Sequence, residues 1–308
     1  MRLTSPLAQY ALLYGLRPFL RNPLLDRGKW YLFHRFNPRP GHDLTWERFG
    51  VRPSRMRGGT RIYCDLRHAA DRWVYFTGEY EVILTRFVRQ VVAPRWRFVD
   101  VGANVGKYTT LAAPLVNEVI CIEPNPESRE LLERNIALNR FANVTVHDVA
   151  VSDQAGEASL YQRGSNIGGA SLLRVGTAAT EHRVPVVRGD TLIEPSDRPT
   201  YLKVDVEGLE QRVLQGFDQL LRSPGGVVVQ VEITDAWLRR AEGSAATLFE
   251  QMRARQLYPY LITAHSRIRT VPRLRPLDAP LPDFQYDVVF LPQPSAEAFW
   301  QWVESLKK

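Results

Sequence analysis

From Arg97 onward this chain repeats one pattern: a short apolar run, a turn, then a helical stripe. RFVDV (97–101) reads as a buried strand, and a helix follows from about Val105 to Val116. EVICIE (118–123) is a second strand, after which Asn125 can cap a helix with Pro126 at its first position. That helix carries Leu132 and Ile136 one turn apart and ends near Asn139, and NVTVHDVAV (143–151) is a third strand with its exit loop. Two strand-like runs come next, EASLYQ (157–162) and HRVPVV (182–187), with a Gly/Ser-rich loop between them. They stand where a crossover helix is due, so the pattern predicts an inserted β-hairpin after strand three. YLKVDV (201–206) is a fourth strand, and its helix shows Leu209, Val213, Leu214, Phe217, Leu220 and Leu221 as one apolar stripe. GVVVQVEIT (226–234) is a fifth, and YPYLIT (258–263) and YDVVFL (286–291) come last around a proline-rich loop. Alternation of this kind predicts an α/β, Rossmann-like fold with a mainly parallel sheet covered on both faces.

The N-terminal part reads differently. Leu7, Ala11, Leu12, Leu16, Phe19 and Leu20 suggest one or two amphipathic helices, broken at Pro18 and Pro23. Asn37 to Gly59 is rich in Pro, Gly and Arg and reads as loop; Thr60 to Leu66 alternates as a strand, and Glu79 to Val92 reads as a helix. These features predict a basic N-terminal extension over residues 1–76 and a main domain over 77–308.

Charge sharpens that division. Residues 1–96 hold 17 Lys/Arg against 7 Asp/Glu, and the remainder holds 23 against 26. A basic region attracts phosphate-bearing partners, whether nucleic acid, anionic lipid or a sugar diphosphate, or is simply a solvated arginine-rich surface. No run approaches the roughly 18 to 20 apolar residues of a spanning helix, and Gln9, Arg17 and Pro18 interrupt the N-terminal apolar patch. A cytoplasmic location is therefore expected. Two cysteines, Cys64 and Cys121, form no CxxC pair and read as small core residues.

The chemistry gathers at FVDVGANVGKY (98–108), a strand followed by Gly102 and Gly106 with three residues between them. Parallel sheets place ligands at the carboxyl ends of their strands. The turn lacks the middle glycine that admits a dinucleotide pyrophosphate. Asp100 repels phosphate and welcomes a cation such as an α-ammonium. Glu123, 21 positions after Gly102, closes the second strand, where an acid accepts both ribose hydroxyls. A ribose, an ammonium and no phosphate describe S-adenosylmethionine (SAM).

DVGANVGKYT, CIEPNP, AVSDQAGEASL, YLKVDVEGLEQRVLQGF and VQVEIT, in this order, resemble the FkbM-type methyltransferases, and YFTGEYE is similar to their lead-in. The likeness covers about Thr77 to Thr234. It implies a class I, SAM-dependent enzyme that methylates hydroxyl groups of sugars or natural products, on a seven-stranded sheet with an antiparallel last strand, here YDVVFL. Carried over by position, Asp100, Gly102, Asn104 and Gly106 line the methionine part of the cofactor and Glu123, followed by Pro124, holds the ribose. Asp148 and Val149 lie along the adenine edge, and Glu81 stands near the cofactor.

Methyl transfer to a hydroxyl needs in-line alignment and a group that takes or polarises the acceptor's proton. Carboxylates at the ends of strands four and five, Asp205, Glu207 and Glu232, are the candidates, and strand adjacency can bring Asp205 and Glu232 together. One serves as general base or, in the less favoured arrangement, Asp205 and Glu232 hold Mg²⁺. Glu207 reads equally as a helix N-terminal acid. Among the histidines, His147 and His182 fall nearest this chemistry, whereas His34, His42, His68 and His265 share no ligand spacing. The loop Ser165 to Leu173, with Asn166, reads as a lid or a plain loop.

The expected acceptor is a nucleotide-linked or lipid-linked sugar, with the basic N-terminal region meeting its phosphates or an anionic membrane surface. The alternatives are an RNA methyltransferase, a non-catalytic cofactor-binding module and an NAD-dependent oxidoreductase. Nucleic acid is disfavoured, because strand four ends in DVEG instead of the Asn/Asp-Pro-Pro-Tyr that grips a flipped base.

Overall fold

Pro18 starts a helix instead of breaking one. In this computed structural model Pro6–Gly15 (α1) is followed by Arg17–Leu20 (α2), with Pro18 in the first turn, where its missing N–H has no intrahelical role. The structure describes residues 6–22, 29, 31–33, 49–163, 166–174, 180–264, 271–282 and 285–307. Pro23, His34, His42, His265 and residues 37–48 of the expected loop lie outside them. The chain divides into two compact units, Met1–Phe87 with Ala264–Arg273, and Val88–Thr263 with Leu274–Lys308.

In the first unit the end of the expected loop is a strand. Val51–Arg55 (β1) pairs antiparallel with Arg61–Asp65 (β2), Val51 opposite Asp65 and Arg55 opposite Arg61. Only Ser54 of β1 is buried, so hydropathy gave no sign of it. Ala69–Thr77 (α3) follows, and Gly78 closes it with φ 75°, the left-handed conformation that ends many helices. Leu13, Leu20, Ile62, Cys64, Val74 and Phe76 share the core of this unit. Glu79 is buried against three cations, Arg57, Arg86 and Lys29. Val82–Val91 (α4) leads into the second unit.

The second unit is built on a mixed sheet. Arg97–Val101 (β3), Glu118–Ile122 (β4), Val144–His147 (β5), Thr200–Val204 (β10) and Val227–Ile233 (β11) run parallel. Tyr286–Leu291 (β14) is antiparallel to β11 and to Tyr258–Ala264 (β12). Pro272–Pro276 (β13), drawn from the expected proline-rich loop, forms an outer edge. Among the described residues the sheet has eight strands, β13-β12-β14-β11-β10-β3-β4-β5, where seven were expected. Prolines are tolerated on such an edge, where one side of the strand needs no partner. Valines and isoleucines of the central strands share one core with Val213, Leu214, Phe217, Leu248 and Phe249 from the covering helical segments.

The expected hairpin is also larger than foreseen. Ala150–Ser152 (β6), Gly156–Arg163 (β7), Asn166–Ser171 (β8) and Thr180–Arg188 (β9) form a separate sheet in the order β6-β9-β7-β8. The run read as strand three is thus split, with β5 in the main sheet and β6 in the second. Ala150, Leu160, Val184 and Val186 form the core of the second sheet.

The helices fit the sheet with small departures. Lys107–Ala112 (α5) is shorter than expected, because Pro114 cannot continue a helix interior. Pro126–Asn139 (α6) is capped by Asn125, whose side chain accepts from Glu127 N at 3.1 Å. Glu210–Gly216 (α7) follows β10. Asp235–Arg240 (α8), Ala245–Arg253 (α9) and Ala296–Leu306 (α10) complete the unit. Among the described residues no helix is long and apolar enough to cross a membrane.

Asn125 also donates to Gln162 Oε1 at 3.0 Å, joining α6 to β7 in a buried bond. Asn125→Ala therefore removes a cap and this buried donor to Gln162 Oε1; chemical denaturation is expected to show a loss of about 1–3 kcal/mol.

Candidate active site

The parallel register sets Val101 beside both Ile122 and Val204, so β3, β4 and β10 end together. The chain leaving β3 then turns sharply. Gly102 has φ 72°, its N–H donates to Ile122 O at 3.0 Å, and Asp205 N–H donates to Val101 O at 3.1 Å. A Cβ at Gly102 would lie 1.9 Å from Asp205 O. Gly106, with φ 84°, opens α5, and a Cβ there would meet Leu132 Cδ1 at 2.5 Å. The first glycine lets two strand ends approach; the second lets α6 approach α5.

Over these ends lies an open-mouthed cavity of about 70 Å³. Gly102, Asn104, Glu123, Pro124 and Val149 line it, together with Asp205 and Glu207. Ala170 to Leu172, at the end of β8 and beyond, supply another wall. Glu123 is held by backbone on both sides: Oε2 accepts from Asn104 N at 2.7 Å and Oε1 from Asn125 N at 2.8 Å. Burial raises its pKa to about 7, against the pull of those two N–H groups. Asn104, held at φ 52°, has a buried Oδ1 with no hydrogen-bond partner among the described residues. A fixed carboxylate with lone pairs to spare and an orphaned amide oxygen form an acceptor-rich set, suited to a ligand bearing hydroxyls and an ammonium.

Other expected contacts stand elsewhere. Asp100 is fully buried and is not part of the cavity lining. Its Oδ2 accepts from Thr109 Oγ1 at 2.8 Å, and Lys203 Nζ lies 3.7 Å from Oδ1. Burial raises its pKa, with Lys203 opposing. Gly106 and Asp148 are likewise absent from the lining, and Asp148 is exposed. Glu81 belongs to the first unit, where φ 37° turns the chain into α4 and its carbonyl accepts from Thr85 N at 3.0 Å.

The strand-end carboxylates do meet. Continuing the β10–β11 register by one residue sets Asp205 beside Glu232, which is itself opposite Asp287 of β14. Burial, and then the charge of Asp205, pushes Glu232 up to about 8; a hydrogen bond from Gln285 works against them, and Asp287 and Glu207 add to the rise. Glu207 takes φ 57° in the turn after β10, and its carbonyl accepts from Ser171 Oγ at 2.9 Å. The acid at the helix start is Glu210 instead, whose Oε1 accepts from Gly208 N at 2.9 Å and Val206 N at 3.3 Å. Burial raises Glu210 to about 7.

Sequence reasoning overlooked Glu210, Asp287 and Lys203. Lys203 had a visible signal, a cation inside the apolar run YLKV. Among the described residues no three of His, Cys, Asp or Glu are grouped so as to hold a metal ion. The side chain of Asn166 lies outside the described residues.

The methyltransferase FkbM domain matches residues 100–260, just over half of the chain. The protein belongs to the FkbM methyltransferase family. Hexuronic acid methyltransferase AglP of Haloferax volcanii is 30% identical over 134 residues, covering 43% of this chain; the chain spans about half, 54%, of that relative's length. Among solved structures, methyltransferase FkbM from Methylobacillus flagellatus KT aligns with TM-score 0.38 and 14% identity, over 92% of this chain and 60% of the other. A Streptococcus mutans protein in complex with SAH aligns with TM-score 0.41 and 10% identity, over 68% and 95%. At these TM-scores the family assignment rests on the sequence match.

Two outcomes test this geometry. Gly102→Ala forces a side chain against Asp205 O at a left-handed φ, and is expected to cost about 3 kcal/mol or more in denaturant unfolding. The pH dependence of stability follows from Glu123, Glu210 and Glu232, whose folded pKa values lie above an unfolded value of 4.5. The folded state then binds more protons than the unfolded one, so their contribution is full below that value and falls as pH rises to about 8. The melting temperature of the ligand-free protein should decline from about pH 5 to 8, and Glu210→Gln should flatten that decline.

Proposed function

We propose that this FkbM family member is a SAM-dependent O-methyltransferase acting on a hydroxyl of a sugar or glycan. One juxtaposition carries the reading: the backbone-held Glu123 carboxylate in the cavity wall, with the Asp205–Glu232 pair at the adjoining strand ends. The name of the relative AglP, a hexuronic acid methyltransferase, supports a sugar as acceptor.

When bound, the sulfonium supplies a methyl group open to in-line attack. The residues of the chain do the rest. Glu123 accepts from the ribose hydroxyls, the orphaned Asn104 Oδ1 accepts from the ammonium, and Gly102 leaves space beside them. Val149 lines the adenine edge, while Glu81 and Asp148 enter this reading by resemblance alone. Glu232 takes the acceptor hydroxyl's proton as the new O–C bond forms and the S–C bond breaks. It must be ionised to do so, and activity therefore rises with pH toward its raised pKa. Lys203, 3.1 Å from Asp205 Oδ2, already puts a positive charge where Mg²⁺ would help, so a carboxylate base is preferred over a metal. The basic N-terminal region meets the acceptor's phosphates or an anionic inner-membrane surface, in a cytoplasmic protein.

Incubation with radiolabelled SAM and a panel of sugar nucleotides and glycolipids, with and without EDTA, tests the assignment. Label should pass to a sugar acceptor. Glu232→Gln should lower the rate about 10²- to 10⁴-fold while calorimetry shows S-adenosylhomocysteine binding unchanged. Label passing to RNA and to no sugar would refute the acceptor class.

A further inference from the structure

Two arginines of the first unit share one hydroxyl. Arg17 opens α2 and Arg21 follows its last residue, and the Nη2 groups of both donate to Ser54 Oγ of β1, at 3.4 Å and 2.7 Å. Arg21 also donates to Tyr75 O and to Arg55 O, each at 2.7 Å. The Arg17 guanidinium lies 4.4 Å from the centre of the Tyr75 ring and 5.7 Å from that of the exposed Tyr14. All of these partner groups are neutral, and among the described residues no carboxylate pairs with either arginine.

Other cations of this unit meet acids. Lys29, Arg57 and Arg86 gather on Glu79, and Arg67 holds Asp65. Arg17 and Arg21, both half-buried, act on each other instead. A charge withdrawn from water is costly unless it is paired, and a like charge beside it adds to the cost. Burial, and then the charge of Arg17, pulls Arg21 down to about 10; Arg55 adds to the fall, and Cys64 and Tyr75 oppose it. The donors are also in surplus. The buried Nε of each arginine has no partner, and Arg17 Nη1 donates to no described residue.

We propose that Arg17 and Arg21, with the exposed Arg55 beside them, bind a phosphate group, carried either by a soluble phosphate ester or by an anionic lipid headgroup. Two guanidinium forks fixed on one hydroxyl call for an anion with more than a single charge and with oxygens facing several ways. A phosphate has both, whereas a carboxylate offers one charge and two oxygens in one plane. The bound anion supplies the counter-charge that the protein leaves out, and Ser54 and the Tyr75 ring hold the forks ready for it. The proposal deepens the part of the proposed function in which the basic N-terminal region meets phosphate, and it rests on that part alone.

The test is calorimetric titration of the full chain with inorganic phosphate at constant ionic strength. Saturable uptake is expected. Arg17→Gln should weaken it about tenfold or more, while Arg95→Gln, at an exposed arginine of the second unit, should leave it unchanged. No saturable uptake by the native chain, equal binding in folded Arg17→Gln, or an equal loss in Arg95→Gln would overturn the proposal. If Arg17→Gln does not fold, Arg17→Lys decides: it keeps the charge but loses the planar fork, so weaker binding supports the site and unchanged binding overturns it. Titration with UDP-glucose and sedimentation with phosphatidylcholine vesicles containing phosphatidic acid separate the two sources. Uptake of either one that depends on Arg17 supports the site and names its source, and uptake of neither overturns the proposal. No methyl group is transferred in these measurements, so failure here is distinct from failure of the labelled-methyl assay.

Discussion

No side chain fits between the end of β10 and the turn after β3. The carbonyl of Asp205 occupies the space a Cβ at Gly102 would take, and the Asp205 N–H is bound to Val101 O. That close crossing draws two strand ends together, while the Gly102 N–H ties the same turn to β4. The cavity exists because three backbones converge there. Asn104 can then offer its N–H to Glu123, and Asp205 is carried to the rim.

Behind the crossing lies a row of polar side chains across the central strands. Asp100, Lys203 and Gln230 are register partners on β3, β10 and β11. Gln230 accepts from Tyr201 Oη at 2.9 Å and donates to Tyr108 Oη at 2.9 Å, and Tyr108 in turn places its ring beside the Lys203 ammonium. Buried polar groups are tolerated when each has partners, and such networks fix one arrangement among many. Here the network fixes the strand ends from which Asp205 and Glu232 project.

Much of this was legible beforehand. The alternation of apolar runs and stripes located the five parallel strands, and Asn125-Pro126 announced α6 because capping is a local matter of a few residues. Asp205 and Glu232 could be paired in advance because neighbouring parallel strands end side by side. What escaped notice depends on distant partners. β1 keeps a single buried residue and β13 is an edge strand flanked by prolines, so neither shows an apolar period. Ser244 and Ser295 cap α9 and α10, a readable signal that went unused. The position of Asp100 behind the cavity depends on Thr109 and on Lys203, a hundred residues away, which spacing within the glycine turn could not reveal.

The second sheet has its own small core and also walls the cavity: Ala150, Val151, Leu160, Ala170, Ser171 and Leu172 line it, and Ser171 donates to the carbonyl of Glu207. A change of side chain at Leu160, Ala170 or Leu172 thus reshapes the cavity wall without touching the backbone crossing at Gly102.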